Sequence, residues 1–106
     1  VTKGDIILVP FPFTDLCAIN NRPALVLIVT DKDVTVAFIT SQFKWEDLYD
    51  LKIEPSDSNG LKKTFLIRLN KITTIDRDIV IGRLGILSSE DVKIVNYNLI
   101  RLLRLQ

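Results

Sequence analysis

A chain of 106 residues with 47% apolar and 25% charged side chains has the composition of one compact globular domain, and that composition excludes a disordered or low-complexity protein. A chain of this length hides roughly two thirds of its unfolded surface on folding, enough for a real core and too little for a large internal pocket. Fourteen basic and thirteen acidic residues leave a formal charge of +1, so the overall field does not draw the protein onto nucleic acid and any such site must be a local patch.

β-branched residues cluster in short runs bounded by Gly, Pro, Asp and Asn, which reads as strands. The first run is Asp5-Ile6-Ile7-Leu8-Val9. The second, Arg22-Pro23-Ala24-Leu25-Val26-Leu27-Ile28-Val29, is apolar on both parities, which predicts a central strand covered on both faces. A polar turn, Asp31-Lys32-Asp33, separates it from Val34-Thr35-Val36-Ala37-Phe38-Ile39-Thr40, so the two runs predict a hairpin with a three-residue connection. Residues 41–49 have no clean period and read as a loop. A short strand is expected over residues 50–54, stopped by Pro55, and Pro55-Ser56-Asp57-Ser58-Asn59-Gly60 is turn chemistry throughout. Thr64-Phe65-Leu66-Ile67-Arg68-Leu69-Asn70 reads as a further strand, with residues 72–75 extending the pairing after a bend.

One helix stands out, at the end. Ser88, Ser89, Glu90 and Asp91 supply an N-cap and acids in the first turn, and Val92, Val95, Leu99, Leu102 and Leu103 recur at helical spacing, with Arg101 and Arg104 favouring its C-terminal end. Several short strands and one amphipathic helix predict a mainly β protein: a small, strongly bent sheet or barrel with the helix packed on its outside. It is expected to form a single domain over residues 1–106.

What is missing narrows the chemistry. Histidine is absent, so neither a Ser-His-Asp nor a Cys-His arrangement exists and the usual zinc sites cannot be built; the nucleotide-binding glycine loops are absent as well. The lone Cys17 cannot form an internal disulfide, and with no signal peptide ahead of it a reducing cytoplasm is the expected compartment. The longest uninterrupted apolar run, residues 24–29, is far short of the roughly 20 residues of a membrane-spanning helix, so no membrane association is expected. Asp57-Ser58-Asn59-Gly60 has no carboxylate where a calcium loop would need its first and last ligands, and reads as a plain turn.

Arg22 is the most informative position. Pro23 holds it extended at the mouth of a buried strand, and its guanidinium fork matches phosphate oxygens. The ordinary alternative is an arginine paired with a nearby acid. Thr40 ends the other arm of the hairpin, followed by Ser41 and Gln42; such a polar cluster either donates to an oxyanion or reflects strand-end preference. Arg68 and Asn70 share a strand face and either line a groove, with Lys62, Lys63, Lys71 or Arg83 adding phosphate contacts, or form a half-exposed sheet surface. Phe43 and Trp45 flank Lys44; capping of the core is the ordinary reading of such a loop aromatic, and stacking on an unpaired base is the alternative.

Lys3-Gly4-Asp5-Ile6, Arg22-Pro23-Ala24-Leu25-Val26, Ala37-Phe38-Ile39-Thr40-Ser41-Gln42, residues 55–61 and residues 68–76, taken in this order, resemble the PemK/MazF toxin family. The likeness continues through Gly82-Arg83-Leu84-Gly85 and the final helix. It implies an SH3-like barrel of the CcdB/PemK type with a C-terminal helix packed on it. It also implies a homodimer, a partner antitoxin whose tail occupies the substrate groove, operator DNA bound only through the antitoxin complex, and metal-independent, cofactor-free cleavage of single-stranded mRNA at selected sequences. In the family's scheme the 2′-hydroxyl attacks the adjacent phosphate.

By this resemblance Arg22 and Thr40 are the catalytic residues, the first contacting the scissile phosphate and the second holding it in the transition state, while Ser41, Gln42, Arg68, Asn70 and Lys71 bind RNA. Base preference is expected from loops at residues 16–21 and 41–49. Asn70 departs from the pattern, because some members carry there an Asp proposed as general base, and others use a His that this chain lacks. Two other readings follow: a non-catalytic RNA- or antitoxin-binding barrel, and a gyrase-poisoning toxin of the CcdB type. The CcdB reading ranks last, because those proteins depend on a C-terminal Trp-Gly-Ile and this sequence ends in Leu103-Arg104-Leu105-Gln106.

Overall fold

The computed structural model describes residues 1–11 and 20–106. Cys17 and most of the 16–21 loop lie outside the described residues. The elements are β1 (Asp5–Phe11), β2 (Asn20–Val29), β3 (Asp33–Thr40), β4 (Leu51–Ile53), β5 (Phe65–Asp76), a short 3₁₀ turn (Arg77–Ile79), β6 (Gly82–Ile86) and α1 (Ser89–Leu102). All strands join one antiparallel sheet in the order β4-β5-β3-β2-β1-β6.

β2 lies between β1 and β3 and, as its sequence predicts, is buried on both faces. Leu25 and Leu27 enter one apolar cluster with Ile6, Ala37, Ile39, Ile67 and Leu69, and α1 packs against that cluster. Ala24 and Val26 enter a second cluster with Ile7, Val9, Val34, Val36 and Ile75. The β2 to β3 hairpin has the expected three-residue connection, one position earlier than the sequence suggested: Thr30 opens it, accepting at Oγ1 from the Asp33 amide at 3.1 Å.

β5 is one continuous strand with an irregularity inside. Phe38 of β3 pairs with Arg68, and its neighbour Ala37 pairs with Ile72, so Leu69, Asn70 and Lys71 have no opposite residue on β3. An excess of three reverses parity. Ile67 and Leu69 face the helix-side cluster before the bulge, whereas Ile75, also odd-numbered, enters the second cluster after it.

The sheet curls until its edges meet. The loop that follows β4 runs against β6, where the Ile86 amide donates to the Ser58 carbonyl at 2.8 Å. Two glycines permit that approach. A Cβ on Gly85 would stand 2.3 Å from the Ser58 carbonyl oxygen, and one on Gly60, which has φ of +70°, would stand 2.1 Å from the Leu84 carbonyl oxygen. Asn59, buried in the loop between them, accepts from the Ser56 and Leu61 amides and donates to the Glu54 carbonyl. β6 carries no alternating pattern and escaped the sequence reading; its partners are set by this closure rather than by its own side chains.

α1 begins at the expected cap, where Ser88 Oγ accepts from the Asp91 amide at 3.1 Å. Val92, Val95, Leu99 and Leu102 pack toward the core. Leu103 does not belong to that stripe: it is the C-cap and is exposed. Beyond it Arg104 adopts φ of +56°, and the Leu105 amide bonds the Ile100 carbonyl, a Schellman ending built without glycine. The fold is therefore the expected mainly β one, a curled six-stranded antiparallel sheet with one C-terminal helix.

Gly85→Ala should lower stability by about 2–3 kcal/mol, because the Cβ collides with backbone rather than with a movable side chain, and Tm should fall by on the order of 10 °C. Arg104→Gly should raise stability by about 1 kcal/mol by relieving the left-handed residue. Thermal unfolding followed by circular dichroism checks both.

Candidate functional site

The Val26 carbonyl accepts from the Gly4 amide, so the even-numbered backbone groups of β2 point toward β1 and those of Leu25 and Pro23 point toward β3. Pro23 has no N–H to give. The ladder between β2 and β3 ends at Ala24 and Phe38, although β3 continues to Thr40 and there pairs with β5. Continued by two residues, the same register would set Arg22 across from Thr40. The strands part at this point, and a cavity of about 340 Å³ lies where they do.

Arg22 and Pro23 come to its wall from β2, Phe38, Ile39 and Thr40 from β3, Arg68 and Lys71 from β5, and Gln42 and Trp45 from the loop after β3. Its floor continues the second apolar cluster, against which Phe38 packs. Among the described residues, every ionisable side chain on its wall is a cation. Among the described residues no acid lies within ion-pair distance of Arg22 or Lys71. Thr40 Oγ1 accepts from the Gln42 amide at 3.1 Å, which leaves its hydroxyl proton to donate outward.

Arg68 differs from the other two cations. Its side chain is only 11% exposed and is held twice, Nε donating to Asp50 Oδ2 at 3.0 Å and Nη2 to Asp47 Oδ2 at 3.2 Å. The Asp50 side chain is 1% exposed, that of Asp47 57%. Both acids sit on one tight turn, in which the Asp50 amide donates to the Asp47 carbonyl and the Asp47 amide to Asp50 Oδ2. Asn70 donates from Nδ2 to Asp47 Oδ2 at 2.7 Å. The turn is tied to α1 as well: Asn98 donates to the Tyr49 carbonyl, and Arg101, its pKa raised by Tyr97 and then by Tyr49, lies near both rings.

Of the residues singled out from sequence, Arg22, Thr40, Gln42, Arg68 and Lys71 therefore meet at one cavity. Ser41 and Asn70 do not line it. Ser41 is half-buried beside it, and Asn70 faces a separate recess formed with residues 47–50 and Leu102. Arg83 lies on β6, 3.7 Å from Asp5 and away from the cavity. Trp45 corrects the expectation that a loop aromatic caps the core, since it is 65% exposed and forms part of the cavity wall; Phe43 is the half-buried member of the pair. Asp47 and Asp50 were missed, because nothing in a loop without period marks which acids will face a strand. The one signal was the presence of two acids three residues apart, ahead of a strand carrying an isolated Arg. Among the described residues no group of three or more metal-ligating side chains is close enough to hold a metal ion.

Asp50→Ala should destabilise the fold by about 2–3 kcal/mol, somewhat less than the loss of a fully buried pair because Asp47 remains on Arg68, whereas Asp47→Ala, at an exposed carboxylate, should cost at most about 1 kcal/mol. Denaturant midpoints measure both. Asn70→Asp sets a second carboxylate where an amide now donates to Asp47, so it should destabilise the turn through the lost hydrogen bond and like-charge repulsion, read as a lower denaturant midpoint.

Residues 2–103 match the family model described as PemK-like, MazF-like toxin of type II toxin-antitoxin system. Comparison with curated protein sequences gives no match. Among solved structures the chain is similar to the Mycobacterium tuberculosis toxin MazF-mt6 (TM-score 0.78, 18% identity, covering 96% of this chain and 98% of that one). It is similar too to an endoribonuclease in complex with its cognate antitoxin from Mycobacterial species (0.76, 17%, 100% and 97%) and to MazF from Deinococcus radiodurans (0.71, 20%, 97% and 96%). At these identities the likeness of structure establishes the fold, while the family match spans all but a few residues at the two ends: the chain belongs to the PemK-like, MazF-like toxins of type II toxin-antitoxin systems.

Proposed function

We propose that this toxin is an endoribonuclease that cleaves single-stranded RNA, mRNA foremost, at selected sequences without a metal ion. The convergence of Arg22, Thr40, Gln42 and Lys71 on one cavity, whose charged side chains among the described residues are all basic, carries the reading. In the proposed reaction the ribose 2′-oxygen attacks the adjacent phosphorus, the bond from phosphorus to the 5′-oxygen breaks, the 2′-proton is removed and the departing 5′-oxygen is protonated. The products are a cyclic phosphate and a free 5′-hydroxyl.

Negative charge accumulates on the phosphoryl oxygens as this proceeds. Arg22, held by β2 and paired with no described acid, supplies a fixed cation there, and the outward proton of Thr40 supplies a donor. A guanidinium holds its proton tightly and is a poor base, so charge stabilisation is the role assigned to Arg22. Gln42 and Lys71 hold neighbouring parts of the strand. Arg68, neutralised by two acids, acts by keeping the turn at residues 47–50 against β5. The proposal extends to a homodimer in the cytoplasm, neutralised by a cognate antitoxin that occupies the same cavity and that alone brings the toxin to operator DNA; a solved complex of a related fold with its antitoxin supports the antitoxin part.

A non-catalytic barrel that binds RNA or antitoxin is the competing reading, favoured by one observation: Asn70 spends its amide on Asp47 and offers the cavity no proton acceptor. Incubation of the purified chain with unstructured RNA in excess chelator decides between them. Cleavage by the wild type that falls by about 10²–10³-fold in Arg22→Ala, and by less in Thr40→Ala, is expected. Binding without cleavage supports the barrel instead, and equal cleavage by wild type and Arg22→Ala refutes the assignment of Arg22.

A further inference from the structure

Trp45 is a largely exposed residue on the wall of a cavity whose described charges are basic. It is 65% exposed and belongs to neither apolar core cluster, so it seals no core. Lys44 Nζ lies over the ring, 5.3 Å from its centroid, so one face of the indole carries the ammonium and the opposite face is the one open to a ligand; Trp45 lines the cavity and Lys44 does not. The same wall carries the apolar Pro23 and Phe38 and the cations Arg22 and Lys71.

A flat apolar surface next to cations that pair with no described acid is complementary to a flat ring joined to an anion, which describes a nucleotide. Resting on the ribonuclease reading, we infer that Trp45 is the stacking platform for one unpaired base of the RNA strand, next to the phosphate held by Arg22, so that strand position depends on a base as well as on phosphates. Stacking is tolerant of base identity, since every base has a π face, and it excludes paired bases, whose faces are covered by their neighbours. The platform therefore selects single strands over duplexes.

Trp45 is the only tryptophan in the chain, so indole fluorescence reports this position alone. The probes are short mixed-sequence oligonucleotides carrying 2′-O-methyl ribose throughout, which bind but cannot supply the attacking hydroxyl. An abasic oligonucleotide of equal length and charge and a Glu-Leu repeat peptide of equal charge are the comparisons. Base-bearing strands should quench the fluorescence and abasic strands should not. Trp45→Leu should weaken binding of base-bearing strands by about 5- to 150-fold and leave abasic binding and the salt dependence of affinity unchanged, while Trp45→Phe should restore most of the loss. Lys71→Ala should instead reduce the salt slope by about one ion. Equal quenching by abasic strands, unchanged affinity in Trp45→Leu, or quenching by the peptide alone overturns the platform. Cleavage of unmodified RNA by the wild type separates the two ideas: intact cleavage beside an indifferent Trp45 refutes only the platform, and no cleavage together with no strand binding refutes the ribonuclease reading with it.

Discussion

Pro23 has no N–H, and the cavity exists because of that lack. In a strand with neighbours on both sides a proline is normally excluded, since it leaves one neighbour's carbonyl without a donor. Here the missing donor faces β3 at the point where the β2 to β3 ladder stops, so the cost falls at the end of a run of pairs rather than in its middle. The pairing of β1 with β2 continues past it through Arg22, Asn21 and Asn20. β2 thus stays fixed on one side and is free on the other, a rigid base from which Arg22 reaches the gap. Thr40 remains fixed in turn by its pairing with Leu66 on the far side of β3.

The bulge in β5 supplies the third wall by a related economy. Without it, Leu69 and Lys71 would share a face and the ammonium would be driven toward the helix-side cluster with no partner, which is costly. Three unpaired residues resolve the conflict. Leu69 keeps its place in the core, Lys71 swings to the cavity, and Asn70 reaches the turn that carries Asp47. The parity of everything downstream is reversed, which delivers Ile75 to the second cluster.

These two features explain what the sequence disclosed and what it did not. Hydrophobic alternation and the Ser88 cap are local signals, so the hairpin, the double burial of β2 and the helix were legible. Arg22 and Thr40 were legible as candidates because each borders an apolar run in the sequence, although β2 itself reaches back to Asn20, and their approach follows from hairpin register. β6 was not, because Gly82, Gly85 and their exposed neighbours pair only once Gly60 and Gly85 let the edges of the sheet close. The acids on Arg68 were invisible for the same reason: a bond across 18 residues depends on where a loop without period comes to rest. Polar alternation placed Arg68 and Asn70 on one face, yet the face is divided, one residue turned to the cavity and the other to the recess beyond it.

That division bears on the electrostatics of a chain whose net charge is only +1. The phosphate-binding role proposed for the cavity needs positive potential, and three cations reach it, but Arg68 is neutralised by Asp47 and Asp50. On that reading the working potential falls to Arg22 and Lys71, both exposed and free of described acids, with Lys44 over the Trp45 ring. Exposed cations act through water and are screened within about 8 Å at physiological salt, so they would attract a strand without holding it tightly. Tight holding would require contacts that do not depend on net charge, and the cavity offers for these the hydroxyl of Thr40, the side-chain amide of Gln42 and the apolar wall of Pro23 and Phe38. The pairing of Arg68 has a complementary effect: through the turn at residues 47–50 and Asn98 it joins one cavity wall to the helix, so the site's geometry is maintained by the same packing that maintains the core.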